Sequence, residues 1–418
     1  MSRLEDLIAE YCPDGVRFYA LNELFEQFSG MGGVTNKWAD EGNCRFIDYM
    51  NAYKHLAIDV NDLPYATVKK IDQTALKQGD VLFTGASETP DECAISSVIE
   101  DKIQDGIFLD DHLFGLRIKL EHKNDISPSF LKYVFRAEAF RTQMKKAVRG
   151  VTRFYVSKPD FMKLIIPIPP LPVQREIVRI LDNFTELTAE LTAELTARKK
   201  QYEYYRDMLL SFDESVQNAL LGDVAVVTKL AGFEFTKYVK YSDAGRIIAL
   251  RGLNVKNGKL DLSDVKYVDS SDFSKLERSR LHIGDMLFTY VGTIGQVALV
   301  DEEDKYYLAP NVALIRVDRS KMLPKFMRYY FQSSQFWKTQ ISRLLQSSSM
   351  QNIPMEKIRK FVLPVPSLDE QQRIIDLLDQ FDSICFDISS GLPAEIEARQ
   401  KQYEYYRDKL LTFKEIGA

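Results

Sequence analysis

Apolar positions along the 418-residue chain follow two alternating regimes. Short apolar or aromatic runs, such as Val81–Thr84, Phe114–Ile118, Met286–Tyr290 and Val312–Val317, are bounded by Gly, Asp and Asn and predict strands. Longer stretches repeat apolar residues every three or four positions and predict helices. In the first long one, Ile177, Leu181, Phe184, Leu191, Leu195, Tyr202, Tyr205, Leu209 and Phe212 keep that spacing, with only Thr188 and Arg198 interrupting. Such a run predicts a coiled-coil seam rather than an ordinary surface helix. A second long stretch keeps the seam at both ends but contains SSGLP (389–393), which predicts a kink or break. Pro128 and Pro324 each open an amphipathic helix, while Pro167–Pro172 and Pro364–Pro366 end regular structure before each long helix.

These elements occur twice. RKKQYEYYRDMLLSF (198–212) and RQKQYEYYRDKLLTF (399–413) agree at twelve of fifteen positions, at an offset of 201. GDVLFT (79–84) answers GDMLFT (284–289), SPSFLKYVFRAEAF (127–140) answers LPKFMRYYFQSSQF (323–336), and the prolines with the following helix start (166–184) answer 363–381. An internal repeat governs the whole fold. It predicts an α+β chain of two tandem domains, residues 1–169 and 213–366, each followed by a long helix, residues 170–212 and 367–418. The two helices are expected to pack antiparallel as a spacer holding the domains apart, giving a pseudo-twofold internal repeat.

Composition narrows the class. With 45% hydrophobic and 28% charged residues the chain can bury substantial cores. No apolar run approaches a membrane span, the N-terminus does not read as a signal peptide, and a cytoplasmic protein is expected. Cys12, Cys44, Cys93 and Cys385 are scattered and predict neither zinc nor a disulfide framework.

Catalytic motifs are sparse. SGMGG (29–33) lacks the strand–turn–helix setting of a phosphate cradle. No Asn-Pro-Pro-aromatic or Asp-Pro-Pro-Tyr stretch marks a nucleic-acid methyltransferase core. PDECAISSVIEDK (90–102) resembles a nuclease metal site built on Asp91, Glu100 and Lys102, but EDK recurs at 303–305 without its Pro-Asp partner. A repeated hairpin turn explains both copies better. No catalytic residue and no resident metal or cofactor is expected.

Basic residues cluster instead. Lys132–Lys163 holds nine lysines and arginines against Glu138 and Asp160, and Arg319–Lys360 holds nine against Glu356, inside a chain of net charge −5. Two basic runs in repeat-related places favour phosphate contact. The loops that follow, 145–157 and 345–354, differ in sequence on matching scaffolds, as expected for two domains reading different targets. The candidate nucleic-acid contacts are Lys145, Lys146, Arg149, Thr152 and Arg153 in one domain, with Arg343, Ser347, Ser348, Gln351 and Asn352 in the other.

QREIVRILDNF, the tandem LTAELTAELTA (187–197) and RKKQYEYYRD together resemble the specificity subunit of type I restriction–modification enzymes, and the tandem points to the IC subgroup. The resemblance spans the chain. It implies two target-recognition domains, each reading half of a split double-stranded DNA sequence. It also implies two modification (methyltransferase) subunits recruited by the helices, and restriction subunits joining them. S-adenosylmethionine, ATP and Mg²⁺ would then serve those partners rather than this chain. Lys200, Tyr204 and Arg206, with their repeats Lys401, Tyr405 and Arg407, are expected to project away from the seam as docking surfaces. The alternative is a coiled-coil scaffold pairing two non-DNA ligand-binding domains, which leaves the paired basic runs unexplained.

Overall fold

The computed structural model describes residues 3–69, 74–345, 352–387 and 390–417. The chain forms two compact units, Met1–Leu191 with Ile396–Ala418, and Thr192–Glu395. Each therefore contains one globular part, the start of its own following helix, and the repeated tyrosine phrase of the other helix.

In the first unit a four-stranded antiparallel sheet runs in the order Phe25–Ser29, Leu113–Ile118, Val81–Thr84, Ser96–Val98. The second unit repeats it with Ala225–Lys229, Val312–Val317, Met286–Thr289 and Val297–Leu299. The repeated phrases GDVLFT and GDMLFT are inner strands, and all four strand residues of each are buried. Covering both faces explains why they read as unbroken rather than alternating apolar runs. Successive side chains point to opposite faces. Val81 and Phe83 enter the core shared with the helices, whereas Leu82 enters a second core beneath a smaller sheet. Met286 and Phe288 divide from Leu287 in the same way. The smaller sheets also correspond, each with one parallel pair: Cys44–Ile47 beside Ile107–Leu109, and Ile248–Leu250 beside Tyr306–Leu308.

SGMGG leads from the strand Phe25–Ser29 into the strand Val34–Ala39, not into a helix. A phosphate cradle at a helix start is therefore not formed there. The two EDK stretches likewise lie between strands.

Pro128 and Pro324 occupy first turns of Pro128–Val134 and Pro324–Phe331. A missing amide proton costs nothing at that place. Against each of these helices packs the start of a spacer helix, fixed by a fully buried glutamine. Gln174 accepts from the Ser127 amide and donates to the Asp125 and Pro169 carbonyls. Gln371 accepts from the Leu323 amide and donates to the Lys321 and Pro366 carbonyls. Tyr133 then donates to Asp182, and Tyr329 to Asp379.

The first spacer helix is one element of 39 residues, Leu171–Leu209. The second is broken into Leu368–Phe386 and Leu392–Leu410, where SSGLP predicted a break. A Cβ on Gly391 would lie 2.5 Å from the Ser383 carbonyl oxygen, so only glycine permits the turn. The apolar residues of the expected seam are all buried or half-buried. Ile177, Leu181 and Tyr202 are buried, but Leu191 and Leu195 are half-buried and Leu187 is exposed. Packing is concentrated at the two ends of the helix. In its middle Thr188 Oγ1 donates to the Phe184 carbonyl.

The repeated phrase QYEYYRD performs the same task in each unit. Its first tyrosine is buried, and burial pushes the Tyr202 hydroxyl up to about 12, so it stays neutral. Tyr403 is buried beside Tyr133. The third tyrosine stacks on a phenylalanine of the facing spacer helix, Tyr406 on Phe184 in the first unit and Tyr205 on Phe381 in the second, at 5.3 and 5.5 Å. The aspartate caps a helix of the globular part: Asp408 accepts from the Glu138 amide at 2.9 Å, and Asp207 from the Ser334 amide at 3.1 Å. A carboxylate at a helix start satisfies a free amide and meets the positive end of the dipole. Burial disfavours the Asp207 charge, yet the bonds from Ser334 and Arg206 outweigh it and hold the carboxyl below its usual range.

Candidate nucleic-acid interface

Each unit has a cleft at the carboxyl end of its GD-x-LFT strand. In the first unit the chain turns at Gly85, whose amide donates to the His112 carbonyl at 2.8 Å. A Cβ there would lie 2.6 Å from that oxygen, so this close approach also requires glycine. Ala86 and Ser87 then pair with Tyr155 and Phe154 of the hairpin Val148–Arg149/Phe154–Val156. The cleft encloses about 740 Å³ between Tyr49, Tyr53, Glu88, Glu92, His112 and Arg153, among others. Tyr49 and Tyr53 stack at 6.0 Å. Hydroxyl donation from Tyr53 and Thr89 holds the Glu92 carboxyl below its usual range, so this wall keeps a negative charge. His112 Nδ1 lies 2.9 Å from both Asp110 and Asp111, and Lys37 pairs with the same two carboxylates.

The second unit builds its cleft, about 780 Å³, at the equivalent place. Val291 follows the strand as Ala86 does, and Asn311 precedes the neighbouring strand as His112 does. Its walls are different: Tyr241, Arg251, Lys256, Asn257 and Gln296 are among them. Arg251 pairs with Asp264 at 2.9 Å and Lys256 with Asp261 at 2.6 Å, which fixes both side chains. The frame is repeated and the lining is not.

Of the residues singled out in the sequence, Thr152 and Arg153 line the first cleft. Asn352 bridges to Val291 at the wall of the second. Lys145 is paired with Asp91 at 2.6 Å, and Arg149 with Asp160 at 3.0 Å. Lys146 and Arg343 are exposed. Ser347, Ser348 and Gln351 lie outside the described residues. Glu100 accepts from Lys132 rather than joining Asp91, which Lys145 holds.

Part of each basic run is taken up by the fold, while Lys146, Arg153, Lys163, Lys338 and Arg343 among others are exposed. Lys132 is buried between Glu100 and Asp182. Arg136 donates to the Ser96 and His55 carbonyls, and Arg141 to those of Asp91, Cys93 and Ala94. In the second unit Lys325 and Arg328 face Asp379, and Arg319 and Arg359 donate to the Ile283 and Val227 carbonyls. Counting charge along a segment misses partners that lie far away in sequence.

The docking residues also need one correction. Tyr204 and Tyr405 are 66% and 60% exposed, and Lys200 and Lys401 are exposed. Arg206 and Arg407 do not project: their side chains are 12% and 15% exposed, lie over Tyr202 and Tyr403, and pair with Asp207 and Asp408.

The sequence pattern of the type I restriction modification DNA specificity domain matches residues 13–198 and again 216–398. The chain belongs to that family. A type I restriction enzyme specificity subunit of Escherichia coli is 36% identical over 315 residues, 71% of this chain and 74% of that protein. One from Haemophilus influenzae is 34% identical over 274 residues, 63% of this chain and 68% of that protein. Two solved structures share the fold. A chain from a study of type I restriction–modification complex assembly and conformational transition matches with a TM-score of 0.65 at 16% identity, covering 96% of this chain and 98% of that one. The S subunit from M. genitalium matches at 0.50 and 13% identity, covering 95% and 96%. The two family matches coincide with the two copies of the sheet and cleft. Tyr49, Tyr53, Tyr241, Arg251, Asn257 and Gln296 went unremarked in the sequence. The signal that exposes them is the divergence of the two copies around a common strand.

Proposed function

We propose that this chain reads a two-part DNA sequence for a type I restriction–modification complex, each unit's cleft contacting one half-site. Membership of the DNA specificity family makes it a non-catalytic, sequence-recognising subunit that acts with other restriction–modification subunits and DNA. The observation that supports one half-site per unit is the pair of equivalent clefts with unlike walls. Aromatic rings, amides and fixed cations supply what base edges and phosphates require. Methyl transfer from S-adenosylmethionine and ATP- and Mg²⁺-dependent cleavage fall, on this reading, to the partner subunits. The scaffold alternative is not favoured, since the family is one of DNA specificity subunits.

Arg153→Ala and Asn352→Ala test the assignment. If each contacts a base, each is expected to cost about 1–3 kcal/mol of discrimination at one position of its own half-site and none in the other. Binding of the assembled complex to duplexes mismatched in one half-site measures this. Loss of preference in the opposite half-site, or in neither, counts against one cleft per half-site.

The exposed tyrosines extend the proposal to assembly. Tyr204 and Tyr405 are repeat-related, exposed, and each set edge-on to the stacked tyrosine beside it. With Lys200 and Lys401 they form two equivalent surfaces, one in each unit, for two modification subunits. Large aromatic side chains held in place are good interface anchors. Replacing both tyrosines by alanine is expected to reduce the number of modification subunits retained, measured by native mass, with the thermal transition of the chain unchanged. Full stoichiometry in that variant removes the tyrosines from the interface.

A further inference from the structure

The two units differ at one place where the repeat predicts likeness. In the first unit Arg136 and Arg141 fill the space between the Glu138–Ala147 helix and the segment Asp91–Ser96, bonded to five backbone carbonyls there and at His55. In the repeat register these arginines become Gln332 and Trp337. The segment that should continue the helix is a π-turn, Trp337–Ile341. Such turns are rare and are found disproportionately at functional sites. The Trp337 ring lies over Gly295, where a Cβ would be 2.4 Å from it, and Gly295 has φ +87°. The repeat-related residue in the first unit is Ala94, also left-handed at φ +51°, whose carbonyl binds Arg141. Exchanging Ala for Gly and Arg for Trp opens a pocket of about 370 Å³.

The lining of that pocket favours an anion. Arg206 and Lys338 contribute two cations, Gln332 and Asn257 contribute amides, and no carboxylate is among the described residues that line it. The Arg206 guanidinium is fixed by Tyr202 and Asp207. The exposed Lys338 projects from the π-turn. The pocket adjoins the reading cleft of the same unit: Asn257 and Gln296 line both, and the backbone N–H of Asn257 donates to Gln296 Oε1 at 3.0 Å. Of the cations along pocket and cleft, Arg206, Arg251 and Lys256 are oriented by Asp207, Asp264 and Asp261, and the exposed Lys338 is the one that brings charge to the pocket mouth. The cleft of the first unit instead sets Glu88 and Glu92 against Arg153.

We propose that this pocket holds a phosphodiester group of the DNA strand leaving the second unit's cleft, with Lys338 and Arg206 supplying charge and Gln332 a hydrogen bond. The inference rests on the reading of the clefts as DNA sites, and assigns the second unit a backbone grip that the first, with its arginines bonded to backbone carbonyls, does not possess. A contact to phosphate positions the duplex without reading its sequence.

The test uses the full chain assembled with its partner subunits and a duplex carrying the methylated host sequence. Lys338→Ala is expected to weaken binding of matched and mismatched duplexes equally, roughly five- to tenfold at 0.1 M salt. It should also reduce the slope of log affinity against log salt by about 0.9, one phosphate's worth of released counterions. Thr142→Ala, the counterpart in the first unit, is expected to change neither. Trp337→Arg, which supplies the guanidinium that fills the first unit's pocket, should reproduce the loss of affinity. Sequence-selective binding with affinity and slope unchanged in Lys338→Ala overturns the pocket assignment and leaves the cleft reading standing. So does a changed base preference at constant slope, or a loss of partner subunits in native mass. A wild-type complex that does not distinguish matched from mismatched duplexes sinks the cleft reading itself.

Discussion

Asp80→Ala is expected to destabilise the first unit by about 3–5 kcal/mol, and Asp285→Ala the second by less, because Arg316 keeps 43% of its side chain in water where Arg117 keeps 25%. Both carboxylates are almost wholly buried, at 1% and 3% exposure. Asp80 accepts from Arg117 Nε and Nη2 at 2.8 and 2.7 Å, and from the Lys77 amide at 2.8 Å. Asp285 accepts from Arg316 Nε and Nη2 at 2.8 and 2.6 Å, and from the His282 amide at 2.8 Å. Each aspartate stands at the turn that starts the GD-x-LFT strand, and each arginine on the neighbouring inner strand. In the first unit, truncating the acid leaves a half-buried guanidinium and a backbone amide without their acceptor, which costs far more than the pair contributes net. Replacing Arg117 by Met together with Asp80→Ala should therefore recover much of the loss. Urea unfolding of the single and double variants measures it. A loss below about 1 kcal/mol, or no recovery in the double variant, would mean that the bidentate pair does not hold the strand order.

That pair illustrates what the sequence disclosed and what it hid. GDVLFT and GDMLFT were legible as equivalent strands because four buried residues in a row leave a pattern visible over a short window. The proline-opened helices and the break at SSGLP were legible for the same reason, since their causes are local. Asp80 and Arg117 are 37 residues apart, and nothing in either neighbourhood marks the partner. The same distance misled the reading of charge. Lys132 belongs to a run that looked free to meet phosphate, yet its carboxylates are at Glu100 and Asp182. Arg141 is spent on backbone carbonyls, which a sequence cannot display as acceptors.

The clefts were hidden for a related reason. Tyr49, Glu88, His112 and Arg153 come from four separate segments of the first unit and meet only when the sheet forms. Of the two loops singled out, the first supplied Thr152 and Arg153 to that meeting point, but the surrounding walls required the fold. The tyrosine phrase was half legible. Its alternation of buried and exposed rings follows helical spacing, whereas the capping reach of Asp408 to the Glu138 amide spans 270 residues of sequence. Conservation of the aspartate in both copies now has a physical reason: each globular part needs a carboxylate at the same helix start.

Inserting one further LTAE unit into the tandem 187–197 is expected to change the unread spacer of the DNA target by about one or two base pairs, with both half-sites retained. Each unit adds about 6 Å of helix, and stacked base pairs are roughly 3.4 Å apart. Four residues turn the helix by about 400°, so the inserted leucine stays close to the line of Leu187, Leu191 and Leu195. The site tolerates the change because packing is lightest there: Leu187 is exposed, and Leu191 and Leu195 are only half-buried. Thr188 donates to the Phe184 carbonyl and Thr196 to the Thr192 carbonyl within the same helix, bonds that an insertion in register preserves. The contacts that join helix to globular part lie elsewhere, at Gln174 and Asp182 on one side and at Asp207 on the other. Neither cleft includes a residue of the tandem. The competing outcome is that the break between the two parts of the second helix absorbs the added length, leaving the spacer as it was. Sequencing methylated sites in a strain carrying the insertion separates the two. An unchanged spacer would mean that the helix middle does not set the distance, and altered half-site bases would mean that the insertion had reached the clefts.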